Sequence, residues 1–141
     1  MLKPEILLLW FFLLLLLGPE LRFSGADIGT ASQYAPPYIP TACYGSDMSQ
    51  FPTSSLFAAA GEGIWDNGAA CGRQYLVKCI SAQVPKTCVE GQTIQVKIVD
   101  RALTSVSPPS RAGSSLVLSN IAFETIAQNA VPYLNVEFQQ L

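Results

Sequence analysis

Four cysteines, Cys43, Cys71, Cys79 and Cys88, stand downstream of a long apolar run, and the two features together limit what this 141-residue chain can become. The run, Ile6 to Leu17, is twelve residues long, follows a short start that carries Lys3, and gives way to small residues at Ser24 and Ala26. That is the layout a signal peptidase accepts. As a helix the run spans roughly 18 Å, short of the roughly 30 Å hydrocarbon core of a bilayer. Residues 1–26 therefore read as a secretory signal peptide cut after Ala26, and residues 27–141 as one domain with no stable membrane insertion. In the oxidising space outside the cell, an even cysteine count in a small chain reads as two disulfides. Three pairings are open. A zinc site is the rival, but no CxxC pair is present. Each bridge contributes on the order of 2–4 kcal/mol, a large share of what a small core supplies.

The chain contains no histidine. That excludes Ser-His and Cys-His mechanisms and removes the commonest transition-metal ligand, so no metal or cofactor is expected. From Asp27 onward eight acids face six bases, a net charge of −2, without a basic run. Nucleic acid and anionic membrane are excluded as electrostatic partners. Any catalysis would have to come from carboxylates, Tyr, Lys or backbone.

Alternation places the strands. Thr93 to Asp100, "TIQVKIVD", puts Ile94, Val96 and Ile98 on one face, and Asp100 one step further on that same face, at the rim of the interior. Ile28–Tyr34, Tyr75–Ile80, Leu116–Leu118 and Tyr133–Gln139 are further strands, the last with Leu134, Val136 and Phe138 aligned. Ser54–Gly63 is ambiguous between strand and helix, and Asn67–Gly68 marks a sharp turn. Ser119 has the character of an N-cap, and Ala122, Phe123, Ile126, Ala127 and Ala130 recur at helical spacing. The pattern is mostly β, with many short strands and one late helix, and it predicts a small closed barrel.

Five motifs occur in order: "GTASQY" (29–34), "ACYG" (42–45), "NGAACGRQYLVKC" (67–79), "TIQVKIVD" (93–100) and "LSNIAFETIA" (118–127). Together they resemble the first domain of expansins, and above all the one-domain expansin-like proteins that include the plant natriuretic peptides. The resemblance implies a six-stranded double-psi β-barrel like that of barwin and of family-45 glycoside hydrolases, with one short helix near the C-terminus. It implies the disulfides Cys43–Cys71 and Cys79–Cys88 and a plant apoplast or cell-wall location; a monomer is expected. It also implies a sugar groove in which Tyr34 is an aromatic platform and Asp100 the acid at the strand end, with Trp65 a further candidate.

Glycoside hydrolysis requires two carboxylates across the sugar. By the resemblance the second acid, and a histidine before it, belong in the run Ser115–Ser119. Val117 stands in place of that Asp and Ser115 in place of the His, while Ala102 replaces a cysteine expected after the strand. A valine moves no proton. Two-carboxylate chemistry is lost unless Glu124 or Asp66 reaches the groove. The expectation is therefore a secreted, non-catalytic protein. It would signal through a cell-surface receptor in water and solute homeostasis, as the natriuretic-peptide resemblance implies. The alternative is a module that binds or loosens cell-wall polysaccharide through Tyr34 and Asp100.

Overall fold

The computed structural model describes residues 25–141. The signal-peptide reading rests on the segment before them and lies outside the described residues. Six strands close a barrel in the spatial order β1 (Asp27–Tyr34), β5 (Leu116–Ser119), β2 (Phe57–Ala60), β4 (Thr93–Arg101), β3 (Gln74–Ser81), β6 (Leu134–Gln140). β1 pairs with β5, and β2 with β4, in parallel; the other four pairings are antiparallel. Among the described residues the α-helices are a single turn, α1 (Glu62–Trp65), and the expected late helix, α2 (Asn120–Ile126). None of the described helices is long and apolar enough to cross a membrane.

Side-chain parity explains the ambiguous segment. Ala58 and Ala60 point into the main core with Val77, Val96, Ile98, Leu116, Leu118 and Phe123. Phe57 and Ala59, on the opposite face of β2, join a second cluster with Tyr34, Val99 and Val117 on the outside of the barrel. All four residues of β2 are buried, as are all four of β5. A strand covered on both faces shows no alternation, so its sequence is not distinguishable from a buried helix. Gly61 ends β2 where the start of β5 comes close: a Cβ there would collide with the Ser114 carbonyl oxygen, and the Gly61 N–H donates to Ser115 O at 3.0 Å.

Two expectations are corrected. Asp100 does not share the face of Ile94, Val96 and Ile98. Pairing runs Ala58↔Ile98 and then Ala59↔Asp100, so β4 carries one extra residue, Val99, at a bulge. Each bulge reverses the parity beyond it, and Asp100 lands on the outer face beside Ala59. The helical spacing to Ala130 also overruns. Ser119 caps α2 as expected, its Oγ accepting from Ala122 N at 3.1 Å. The helix stops at Ile126, where Ala127 bridges to Cys88 in an antiparallel contact and Gln128 N donates to Thr87 O. The structure joins Cys43 to Cys71 and Cys79 to Cys88, with Cα separations of 5.4 and 5.3 Å. The second bridge fixes the excursion that captures the end of α2.

Candidate functional site

The outer face of β1–β5–β2–β4 is roofed by the Pro- and aromatic-rich segment 35–56. Tyr38, Tyr44 and Phe51 from this segment pack onto Tyr34, Phe57, Ala59, Val99 and Val117. Their rings meet edge to face, with centroids 4.8 Å apart for Tyr34–Tyr38 and Tyr38–Phe57 and 4.7 Å for Phe51–Phe57, the geometry that ring quadrupoles favour. Further ties hold the roof. Cys43 is bonded to Cys71. Lys97 Nζ, above the Tyr44 ring, donates to Gln50 O at 2.8 Å. Tyr38 Oη donates to Asn120 Oδ1 at 2.8 Å.

Tyr34 and Asp100 are brought together beneath this roof. Tyr34 is 2 % exposed and Asp100 1 % exposed. Asp100 Oδ1 accepts from Ala42 N (2.8 Å) and Arg101 N (2.7 Å), while Asp100 Oδ2 and the Tyr34 hydroxyl are buried without a hydrogen-bond partner. Burial raises the Asp100 carboxyl above its ordinary range, partly offset by the two amides. Burial also pushes the Tyr34 hydroxyl far above the phenol range, with Asp100 and then Tyr38 adding to the effect. These positions correct the expectation that Tyr34 lies open in a groove; no sugar ring reaches it while the roof is in place. Because a buried hydroxyl without a partner costs stability, Tyr34→Phe is expected to leave the unfolding free energy unchanged or raise it by up to about 1 kcal/mol in urea titration. A loss larger than that would show that the hydroxyl has a partner.

Trp65 is not part of this pair. It packs against the main core, and Arg101 stacks over its ring at 5.6 Å. The Arg101 guanidinium also grips Glu62 through two hydrogen bonds of 2.8 and 2.9 Å. Sequence reasoning passed over Glu62, because nothing in the spacing between residues 62 and 101 marks them as neighbours across β2 and β4. Of the reserve acids, Glu124 is exposed on α2, and Asp66 pairs with Arg73 at 2.7 Å.

An open groove of about 430 Å³ runs beside the roof. Its walls bring together Ala102, Ser115 and Val117, the three positions where the resemblance called for a cysteine, a histidine and an acid, together with Glu62, Leu103 and Pro109. Glu62 is the one acid among its lining residues, and its pairing with Arg101 holds the carboxyl below the usual range. A general acid must stay protonated at working pH, which requires a raised pKa. Asp100 has the raised pKa but is sealed from the groove, and Glu62 has the access but is held ionised. Among the described residues no three His, Cys, Asp or Glu side chains converge as a metal site.

A closed six-stranded barrel with two parallel pairings and a groove at the β2–β5 rim fits the double-psi β-barrel that the resemblance implies. A family model described as lytic transglycolase matches residues 57–138. An EG45-like domain containing protein from Citrus jambhiri is 36% identical over 118 residues, covering 82% of this chain and 82% of its own. A putative EG45-like domain containing protein 1 from Arabidopsis thaliana is also 36% identical, over 82% of this chain and 85% of its own. The chain belongs to this EG45-like, expansin-like family. The apo expansin of Clavibacter michiganensis superposes with a TM-score of 0.58 at 16% identity, over 83% of this chain. A mutant of that expansin in complex with cellohexaose superposes with a TM-score of 0.59. The chain spans half the length of that expansin, and at this identity the likeness speaks to the fold.

Proposed function

We propose that the protein is a secreted, non-catalytic expansin-like protein that acts outside the cell by binding, in a signalling role in water and solute homeostasis. The observation that carries the non-catalytic part is the separation of Asp100 from the groove, with Val117 where a second carboxylate would be needed. The recognition surface is the outer side of the roof. A segment held by a disulfide, by Asp100 and by stacked rings keeps one shape when free, so little ordering entropy is lost when a receptor binds it. Met48, 63 % exposed on this segment, is a ready apolar anchor.

A second reading has its own support. The groove beside the roof is open, and an expansin of this fold is known in complex with cellohexaose. Two measurements on the purified protein separate the readings. Incubation with insoluble glucan is expected to leave the protein in the supernatant and release no reducing sugar, while addition to protoplasts changes their volume. Retention on glucan, weakened by Leu103→Ala in the groove wall, would replace signalling with wall binding. Release of reducing sugar would overturn the non-catalytic reading altogether.

A further inference from the structure

The outside of the barrel is roofed on one half only. On β1–β6–β3 the strand register sets Ile28, Glu137 and Lys78 in one row, since Glu137 pairs with Ile28 on one side and with Lys78 on the other. Ile80, the extra residue at a bulge between Cys79 and Ser81, is exposed beside this row. The excursion closed by Cys79–Cys88 adds Val84 and Lys86 beside this row, and Glu90 follows just after the bridge. These residues line a cleft of about 720 Å³. Ile28 is 78 % exposed, Ile80 47 % and Val84 46 %. Single apolar residues on a surface are ordinary, but three long aliphatics in one cleft mark a surface that another molecule covers.

The charges indicate which molecule. Among the described residues the ion pairs are Arg73–Asp66 and Arg101–Glu62, so Lys78, Lys86, Glu90 and Glu137 have no ionic partner. Two bases and two acids line the cleft together with the aliphatic residues, and these four charges cancel. An anionic lipid surface or a polyanion would require an excess of bases. A glucan would require a flat ring to stack on, and no aromatic residue lines the cleft. A two-fold contact sets one patch against its own copy, which demands both signs within the patch. We propose that this face is the interface of a homodimer, with Ile28, Ile80 and Val84 at its centre and Lys78 and Lys86 opposite Glu137 and Glu90 of the second copy.

Sedimentation velocity on residues 25–141, which contain every strand of the barrel, tests the proposal between about 1 µM and about 1 mM. A concentration-dependent monomer–dimer equilibrium is expected. Ile80→Asp, at an exposed position that the fold tolerates, should weaken dimerisation at least about tenfold with unchanged far-UV circular dichroism. Lys78→Glu should also weaken it, and the double exchange Lys78→Glu with Glu137→Lys should restore it, because the exchange keeps both signs in the patch. A monomer throughout the range, or a dimer indifferent to both Ile80→Asp and Lys78→Glu, overturns the proposal.

Discussion

Replacing Cys43 and Cys71 together by Ala is expected to cost about 3–4 kcal/mol, against about 2–3 kcal/mol for Cys79 and Cys88. The difference follows from loop length. The first bridge closes a loop of sequence separation 28 and the second one of 9. In the chain-entropy account the longer loop gives roughly 3.5 kcal/mol and the shorter roughly 2.5 kcal/mol. For a domain of this size the larger loss lowers Tm by about 15 °C. The two losses also differ in kind. Without Cys43–Cys71 the roof keeps its stacked rings and hydrogen bonds such as those at Asp100, Gln50, Asn120, Ser107 and Ser119, but no covalent tie, so it opens before the barrel unfolds. Amide exchange should then quicken across residues 35–56 while β3 and β6 stay protected. The same variant probes the groove. If it gains affinity for insoluble glucan, the sugar platform around Tyr34 is intact and merely roofed over. If it does not, the platform is no longer a binding surface.

Two strands that were legible in the sequence, β4 and β6, share one physical property: one face is largely wet. Ile94, Val96 and Ile98 alternate with exposed or half-exposed neighbours, and Leu134, Val136 and Phe138 do the same, so their period can be read. Ser119 was legible because capping is a local interaction over three residues. β2 was not, since Phe57–Ala60 is buried on both sides by partners distant in sequence. Val99 hid its bulge because a valine continues a strand as well as it bulges, and the shift appears only in the pairing with Ala59. That one residue decided the site. It turned Asp100 from the barrel interior to the underside of the roof, where it meets Tyr34. The resemblance supplied both residues as groove candidates but could not supply the roof, whose rings at Tyr38, Tyr44 and Phe51 follow no period. Glu62 and Arg101 were missed for the same reason, their contact being made by tertiary packing alone.

Asp100→Ala is expected to cost about 2–4 kcal/mol, and Asp100→Asn within about 1 kcal/mol of wild type at neutral pH. The alanine variant strips the acceptor from two amides, Ala42 N and Arg101 N, and leaves a void beneath the roof. Asparagine keeps an acceptor oxygen for both amides and carries no charge to desolvate. The contrast has a pH signature with a definite sign. The folded pKa of Asp100 is raised, so the folded protein binds the proton more tightly than the unfolded chain. Stability from this group is therefore present below the ordinary Asp range and lost as pH rises through the folded pKa. Glu62 and Asp47 have depressed values, so their contributions are lost only as pH falls below the usual carboxylate range. Between about pH 4 and pH 7 the difference between wild type and Asp100→Asn isolates the buried acid. In urea unfolding across that window, wild type should lose stability relative to the asparagine variant as pH rises. Parallel curves would mean that Asp100 ionises in the fold as easily as in water, and its oxygen would then have to be solvated through an opening in the roof. That outcome would return Asp100 to the groove as a reachable acid, and with it the case for chemistry at this site.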